Sequence, residues 1–444
     1  MRVLIGSALA LGIAGAAALH AQTAAPPPAP PAQAAPVPAA ALLPNTQALF
    51  TSLVATNKLP GIVGAFGVGD FPTLFPAAGR IGDEPGAAAA GPDSLYRIYS
   101  MTKPITGMAA MILIEEGRIG LDDPLSKYFP AFKRMRVLTS PDTSLESVPA
   151  TSEITIRELL THTSGLGYNI LAKGPLLKEY ERLGILPGAI NASVEAKARL
   201  ARPKSLADFA ERVAQTPLIA QPGTAWNYSI GLDVMGAVIE KASGMPFERF
   251  LQTRLFGPLK MTSTFFTVPA KDVARLTTNY AYLGATRAPL DAAATSVFLQ
   301  PPSFPYGGAG LVSSARDYDR FLHMIQNGGE LDGVRVMKPG TVRLATSNLL
   351  PNGVTFSGVP GETGGMTSGR MGFGAGGAVA LEDKPGGPAK GTYGWGGAAG
   401  TLAWVDPVRR FRGTVMVQVF PANAVDVQQS VPAALLKDAA RFRR

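Results

Sequence analysis

The sequence contains no cysteine and only three histidines among its 444 residues. The lack of cysteine excludes a thiol nucleophile, a Cys-based zinc site, a lipid-modified cysteine and any disulfide, so packing alone must stabilise the fold. His20 lies in an apolar N-terminal stretch, which leaves His162 and His323 for the remainder of the chain. No G-x-S-x-G motif accompanies them, and two separated histidines without paired carboxylates do not form a metal site. We therefore expect neither a Ser-His-Asp triad nor a metal ion, and no cofactor.

The two remaining histidines have simple structural interpretations. His162 lies where a helical pattern ends in a loop, and its expected role is to hydrogen-bond that turn. His323 lies on a segment with amphipathic helical periodicity, where a packed or surface histidine is expected.

Charged residues are scarce, at 16% of the chain, although the basic ones outnumber the acidic ones and give a net charge of +9. Such an excess indicates nucleic-acid binding where lysine and arginine form a run interleaved with aromatic residues. Here they are scattered, apart from Arg441, Arg443 and Arg444 at the C-terminus, which favour a solvated helix end. We expect no nucleic-acid partner.

The N-terminal residues have the layout of a secretory signal peptide. Arg2 precedes an apolar stretch rich in Gly and Ala, and small residues offer cleavage near Ala18 or Ala21, so residues 1–21 are assigned to the signal. An uncleaved membrane anchor is the alternative, but the stretch is short and diluted by glycine. Residues 22–42 are dominated by Ala and Pro and predict an extended linker. The sequence thus predicts a periplasmic or secreted protein with no stable membrane insertion after cleavage.

The sequence predicts that residues 43–444 form one folding unit built from discontinuous parts. The apolar patterns predict helices at about 45–57, 101–116, 206–215, 231–242, 246–256 and 431–441, and strands at about 61–67, 393–405 and 411–420. Asn45 or Thr46 is expected to cap the first helix and Ser205 to open the third. Residues 406–409 read as a hairpin turn. Strands at both ends with helices between them predict an α+β fold, an α/β sandwich in which an antiparallel sheet is flanked by helices. The α/β part is assigned to about 43–98 and 305–444, and the inserted helical part to about 99–304.

A serine that acts without histidine needs another base, and a lysine withdrawn from water can supply one. Ser100-Met-Thr-Lys103 places the two side chains on one face at the start of a helix, where they can touch. The free N–H groups of the helix N-terminus would favour a developing oxyanion there. A lone S-x-x-K match is weak evidence, because a capping serine and a solvated lysine give the same pattern.

Two later segments strengthen this interpretation. Tyr228, in Trp-Asn-Tyr-Ser-Ile-Gly, lies on a loop that enters a helix, where it could relay a proton or be an ordinary core tyrosine. Trp395-Gly396-Gly397 begins a predicted strand, and paired glycines allow a backbone to approach a ligand closely or to form a bulge.

These ordered motifs resemble the serine β-lactamase and penicillin-binding-protein superfamily, and most of all the family VIII carboxylesterases and class C β-lactamases. The resemblance implies a serine β-lactamase-like fold over nearly all of residues 43–444. It also implies that Ser100 is the nucleophile, that Lys103 and Tyr228 transfer its proton, and that the N–H groups of Ser100 and Ala398 form the oxyanion hole. Which of Lys103 and Tyr228 is the general base stays open.

Departures from the family pattern concern the substrate-binding positions Ile230, Trp395, Gly396 and Gly397. Class C enzymes have Tyr-x-Asn where this chain has Ile230, and lactamases usually have Lys-Thr-Gly at the third motif. Losing a charged partner for a bound carboxylate costs about 1.5 to 3 kcal/mol, which favours a neutral small-molecule ester as substrate. A β-lactamase, a D-Ala-D-Ala peptidase, an acyltransferase and an inactive binding module are the alternatives. Residues 168–203 are expected to line the pocket and set substrate size, and the sequence gives no oligomeric state.

Overall fold

The computed structural model describes residues 39–359 and 369–441. The predicted signal peptide, most of the predicted linker and two of the terminal arginines, Arg443 and Arg444, lie outside these residues. The last four linker residues, Ala39–Leu42, form a helical turn, so the expectation of an extended conformation is wrong for them.

Most of the described helices lie in the sequence between the two parts of the seven-stranded sheet, and the helix expected at 246–256 is an α-helix that continues as a π-helical turn, Gln252–Phe256. The α-helices are α1 (Ala39–Leu42), α2 (Pro44–Ala55), α3 (Thr102–Glu115), α4 (Ile156–Thr161), α5 (Gly174–Leu183), α6 (Ala192–Ala201), α7 (Leu206–Val213), α8 (Gly231–Ser243), α9 (Phe247–Leu251), α10 (Ala315–Gln326), α11 (Pro339–Ala345) and α12 (Val427–Arg441). Ser205 caps α7 as predicted, because its side chain accepts the N–H of Asp208.

The strands are β1 (Gly61–Val68), β2 (Ala77–Gly79), β3 (Tyr96–Arg97), β4 (Arg136–Leu138), β5 (Ser147–Pro149), β6 (Asn279–Leu283), β7 (Thr286–Asp291), β8 (Val312–Ser313), β9 (Glu330–Leu331), β10 (Val334–Arg335), β11 (Met371–Phe373), β12 (Ala378–Ala380), β13 (Tyr393–Gly396), β14 (Leu402–Asp406), β15 (Phe411–Met416) and β16 (Val419–Phe420). Seven of them form one antiparallel sheet in the order β11-β12-β13-β14-β15-β1-β2. This sheet takes strands from both ends of the chain, and the predicted α+β class is confirmed.

Side chains on the two faces of the sheet belong to two different cores. On β1, Ile62 and Phe66 pack into the core shared with α2 and α12, whereas Val63 and Ala65 join the larger core that also contains α3, α8 and α10. Because successive strand residues point to opposite faces, this alternation means that the sheet is covered by helices on both sides.

Two sequence predictions near the ends of the fold are corrected. The strand expected at 393–405 is broken into β13 and β14, which pair as a hairpin around 397–401. Gly400 takes a left-handed φ of +82° in this turn, a conformation that a continuous strand does not contain. The strand expected at 411–420 is also divided, since Val419–Phe420 pairs with β6 in a separate sheet.

The N-terminus of helix α2 is completed by a residue from the far end of the chain. Helix α2 begins at Pro44, so Asn45 and Thr46 lie within its first turn and the predicted capping role is wrong. The carboxylate of Asp438 on α12 accepts the backbone N–H of each, at 2.9 Å in both cases. A carboxylate at a helix N-terminus satisfies free N–H groups and complements the helix dipole.

The described residues form one compact unit. Within 39–359 and 369–441, none of the helices combines the length and the apolar character needed to cross a bilayer.

Candidate active site

Ser100 lies on a tight turn between β3 and α3. Residues Tyr99–Met101 form a single 3-10 turn, and α3 begins immediately after it. Tyr99 adopts a left-handed φ of +40° and is held there by edge-on packing of its ring against two phenylalanines. Left-handed backbone at a residue other than glycine costs about 1–3 kcal/mol and persists where the surroundings enforce it. The turn leaves Ser100 partly exposed between buried neighbours.

The strand before this turn is fixed by a buried ion pair. Arg97 is fully buried and pairs with Asp291 at 2.5 Å. Its guanidinium also donates to the carbonyl of Thr277 at 2.6 Å and to the hydroxyl of Ser296 at 2.9 Å. These fixed donors anchor the backbone three residues before Ser100.

Lys103 is on the first turn of α3, and its ammonium nitrogen lies against Ser100, as the spacing predicts. Nζ donates to Ser100 Oγ at 3.3 Å and to the carbonyl oxygen of Gly308 at 2.8 Å. The side chain is fully buried, with Nζ 4.5 Å from the ring centre of Tyr228 and 5.4 Å from that of Tyr168. A cation over aromatic faces is stabilised without being paired to an acid.

Tyr228 approaches the same serine from the loop before α8. Its hydroxyl donates to Ser100 Oγ at 2.7 Å and accepts the indole N–H of Trp395 at 3.4 Å. Only 6% of Tyr228 is exposed. The structure therefore brings together Ser100, Lys103 and Tyr228, the three residues that the sequence predicts as a proton-transfer group.

His162 packs against the ring of Tyr228 and bonds the loop that carries it. Its ring centre lies 4.9 Å from that of Tyr228, and Nδ1 accepts the backbone N–H of Ser229 at 3.2 Å. Burial, together with the nearby charge of Lys103, holds the pKa of His162 well below its usual range, so the ring is neutral at pH 7. The predicted role of His162, to hydrogen-bond a turn, is thus confirmed. The backbone that its ring binds belongs to the loop that carries Tyr228.

The third motif lies partly in β13 and partly in the turn after it. Trp395 is buried, Gly397 is buried, and Gly396 and Ala398 are partly exposed. A Cβ added to Gly397 would collide with the carbonyl oxygen of Ile98, so only glycine lets this turn pack against the residues that precede Ser100.

A cavity of about 220 Å³ adjoins Tyr228. Its wall includes Tyr168, Leu176, Trp226 and Ile219, with Lys173 also contributing. The segment expected to line the pocket, residues 168–203, contributes Tyr168, Leu171, Ala172, Lys173 and Leu176, while residues 177–203 do not line this cavity. The aromatic and aliphatic side chains beside Tyr228 suit an apolar group, and Asp142, Lys173 and Asn227 add polar atoms to the wall.

Ile230 is the one predicted site residue that the structure places elsewhere. It is fully buried in the core at the start of α8, so it offers no surface to a substrate. Two further residues at the site were not predicted from the sequence: Asp233, a fully buried acid three residues further along, and Gly308, whose carbonyl oxygen binds Lys103. A single acid within the apolar run Gly-Leu-Asp-Val-Met-Gly-Ala was the available signal for Asp233.

Comparisons with known proteins identify the family and the fold. The family model described as Beta-lactamase matches residues 46–436. The chain is 34% identical to Protein Rv1367c of Mycobacterium tuberculosis over 350 residues, covering 76% of this chain and 81% of that protein. It is 31% identical to Esterase EstB of Burkholderia gladioli over 391 residues, covering 83% and 88% respectively.

Among solved structures, the one titled "EstCE1, a hydrolase with promiscuous acyltransferase activity" aligns with a TM-score of 0.70 at 25% identity. The alignment covers 89% of this chain and 99% of that one. The predicted superfamily resemblance and the β-lactamase-like fold are therefore confirmed, and the chain belongs to the Beta-lactamase family.

Proposed function

We propose that the protein is a serine carboxylesterase that hydrolyses small to medium esters through an acyl-enzyme on Ser100. One observation carries the proposal: Ser100 Oγ accepts hydrogen bonds from Lys103 Nζ at 3.3 Å and from the Tyr228 hydroxyl at 2.7 Å. A hydroxyl held by two proton-transfer groups at a helix N-terminus is the arrangement of an activated nucleophile.

In the acylation step, Ser100 Oγ forms a bond to the ester carbonyl carbon while Lys103 and Tyr228, acting as a coupled pair, take its proton. The C–O bond to the alcohol then breaks, and the alcohol leaves with a proton delivered by Tyr228. In the second half, water attacks the acyl carbon and gives a proton to the same pair. The bond between the acyl carbon and Ser100 Oγ then breaks, the pair returns a proton to Oγ, and the acid and free Ser100 are released.

The negative charge on the carbonyl oxygen is assigned to the backbone N–H groups of Ser100 and Ala398. Support comes from the close packing of Gly397 on Ile98, which keeps the turn carrying Ala398 beside the turn carrying Ser100. One such donor is typically worth ~3 kcal/mol of activation barrier.

The chemistry of the third motif favours neutral esters. Trp395 and Gly396 stand where lactamases usually have a lysine and a threonine, so this motif offers no cation to a substrate carboxylate. The esterase EstB is 31% identical to this chain, which supports the same substrate class. The cavity beside Tyr228 supplies an apolar wall for part of the ester.

Acyl transfer to an alcohol is the second candidate. The same acyl-enzyme would be attacked by an alcohol in place of water, and the structural relative EstCE1 is titled as a hydrolase with acyltransferase activity. The cavity next to Tyr228, with Leu176 and Trp226 in its wall, would hold the organic part of such an acceptor. Hydrolysis of p-nitrophenyl butyrate in the presence of a primary alcohol, with product analysis, gives the ratio of new ester to free butyrate.

The proposed location is the periplasm or the medium, reached through cleavage near Ala18 or Ala21. It rests on the N-terminal sequence pattern alone. Expression of the full chain, fractionation, and N-terminal sequencing of the mature product test it, and an intact N-terminus on cytoplasmic protein contradicts it.

The decisive experiment compares p-nitrophenyl butyrate, nitrocefin and a D-Ala-D-Ala peptide as substrates. We expect turnover of the ester, with little or none of the other two, and loss of at least about a thousandfold in kcat for Ser100→Ala. Ser52→Ala, at an exposed position on α2, is the matched control and should keep full activity. A folded Ser100→Ala variant with near-normal esterase activity would overturn the proposal, and preferential turnover of nitrocefin would redirect it to a β-lactamase.

A further inference from the structure

Asp233 is a buried acid that the reaction described above does not use. It lies on the first turn of α8 and is fully buried among apolar neighbours. Oδ1 accepts the backbone N–H of Gly308 at 2.8 Å. Within the part of the chain that the structure describes, Oδ2 is buried and has no hydrogen-bond donor. A buried carboxylate with an unsatisfied oxygen is costly and calls for a functional explanation.

Gly308 connects this acid to the catalytic lysine. Its N–H bonds to Asp233, and its own carbonyl oxygen accepts a hydrogen bond from Lys103 Nζ at 2.8 Å. A Cβ on Gly308 would lie 2.5 Å from Asp233 Oδ2, so the carboxylate can approach the backbone this closely only because residue 308 is glycine. The three residues therefore form a continuous link from α8 to α3.

The link is electrostatic as well as geometric. Burial raises the pKa of Asp233 to about 6, and the charge of Lys103 opposes that rise. The carboxylate charge in turn helps to raise the pKa of the buried Tyr168 hydroxyl, although burial is the main cause. Lys103 also lowers the pKa of His162. Asp233 and Lys103 are thus opposite charges in one buried environment, with Tyr168 and His162 as their titratable neighbours.

Several other charged side chains on the helices packed against α8 have partners of their own, whereas Glu211 on α7 and Glu248 and Arg249 on α9 are exposed to solvent. On α4, Glu158 accepts the backbone N–H of Thr155 at the N-terminus of its helix. The ion pairs are Arg157 with Asp122 and Arg212 with Asp208. Helix α9 meets α8 near Gly236, further along the helix from Asp233.

We propose that Asp233 is a positioning residue that holds Lys103 against Ser100 through Gly308 and whose charge sets the pH below which Ser100 loses its reactivity. The proposal rests on the proposed role of Lys103 as a partner in proton transfer. A negative charge near a basic group stabilises the protonated form of that group, which can then accept a proton only at higher pH. Removing the carboxylate charge of Asp233, while keeping its hydrogen bond to the N–H of Gly308, should allow Ser100 to react at lower pH.

Asp233→Asn separates the two effects, because the amide oxygen can still accept the Gly308 N–H but carries no charge. The readout is the rate at which a fluorophosphonate labels Ser100 between about pH 5 and pH 9, followed by intact mass. We expect the acidic limb of the profile to move down by about one pH unit in Asp233→Asn, with a similar maximal rate. Asp233→Ala, which also loses the acceptor, should lower the maximal rate by about tenfold.

Asp317→Asn is the matched control. Burial also raises the pKa of Asp317 to about 6, but this carboxylate binds the N–H of Ser263 and the hydroxyl of Thr264. Its substitution should affect stability without moving the acidic limb. An unchanged limb in Asp233→Asn, or an equal movement in Asp317→Asn, would overturn the proposal. Labelling needs no particular ester, so a chain that labels at Ser100 but cleaves no ester refutes the proposed function and leaves this test intact.

A reciprocal measurement covers the case in which Asp233→Asn does not fold. The side-chain carboxyl signal of Asp233 is titrated by NMR in the unmodified protein and in Lys103→Met. Removal of the lysine charge should make Asp233 titrate at higher pH, because that charge favours the carboxylate. Identical titration curves would contradict the coupling and with it the inference.

Discussion

The indole N–H of Trp395 points at the hydroxyl oxygen of Tyr228, 3.4 Å away, and that hydroxyl donates to Ser100 Oγ at 2.7 Å. The two rings also pack, with centres 5.8 Å apart. Trp395, which the sequence predicts as a substrate-binding residue, is therefore buried and orients the phenol that faces the nucleophile.

Replacing Trp395 by Phe should lower kcat by about tenfold with little change in KM, because the ring volume is largely kept while the hydrogen bond to Tyr228 is lost. Tyr228→Phe should cost at least about a hundredfold, since it removes the proton-transfer group itself. Steady-state kinetics with p-nitrophenyl butyrate measure both. Trp404→Phe, on the sheet face that packs against α2 and α12, is the control and should leave kcat unchanged. An increase in KM alone for Trp395→Phe would instead indicate direct contact with substrate.

Filling the cavity beside Tyr228 should reduce the length of the acyl chains that the enzyme accepts. Leu176→Trp adds an indole to a space of about 220 Å³. We expect turnover of an octanoate ester to fall by about tenfold relative to the acetate ester, because the longer group needs that volume. Leu200→Trp, on the neighbouring helix α6 at a position 90% exposed, should leave the ratio unchanged. Equal losses for both esters would show that the cavity does not hold the acyl chain.

A methyl group at Gly397 should disturb both folding and catalysis. The added Cβ would overlap the carbonyl oxygen of Ile98 and the hydroxyl of Thr401, and overpacking of this kind typically costs about 1–3 kcal/mol. Urea unfolding of Gly397→Ala should show that loss, together with a lower kcat from displacement of the Ala398 N–H. Gly91→Ala, where the new Cβ meets nothing within 4 Å, should do neither. Full activity in Gly397→Ala would remove this turn from the oxyanion hole.

His162 should make the protein less stable in mild acid. The pKa of His162 in the folded protein lies well below its unfolded value near 6.5, because of burial and the Lys103 charge. The unfolded chain therefore binds more protons below about pH 6.5, and the free energy of unfolding falls there by up to about 1.4 kcal/mol per pH unit. At higher pH both states are neutral and this contribution to stability is complete.

His162→Asn should reduce that acid sensitivity, since its amide oxygen can accept the Ser229 N–H but does not titrate. Urea unfolding at about pH 7.5 and pH 5.5 gives the comparison. His323→Asn is the control, because His323 is only half-buried and the pKa of that residue is lowered less strongly. If His162→Asn and the unmodified protein lose the same free energy on acidification, the histidine is not the group responsible.

The parts of the site that are close in sequence could be predicted from local rules. Ser100 and Lys103 are one helical turn apart, so their contact follows from helix geometry alone. The bonds from Gly308 to Lys103 and Asp233 join segments far apart in the chain, and a sequence pattern carries no information on such distances. Trp395 was identified through its motif, but its bond to Tyr228 depends on how two loops meet.

In the fold, too, features set by the local sequence could be predicted and those set by distant contacts could not. The class, the hairpin at 406–409 and the Ser205 cap follow from alternation and turn residues. The break at 397–401 was missed because its flanks are equally apolar, so the run reads as one strand. The cap of α2 was misassigned because its acceptor, Asp438, is 393 residues away from Asn45.

Such long-range contacts limit the stage of synthesis at which the folded enzyme can form. Strand β1 needs β15 as its neighbour, and α2 is completed by α12, so an N-terminal fragment emerging from the ribosome holds Ser100 and Lys103 but cannot assemble the sheet around them. Premature termination within the last helix would remove Asp438 and leave the first turn of α2 without its acceptor, although the chain would still contain every chemical group of the site. The sheet that holds the site can close only after β15 has been synthesised.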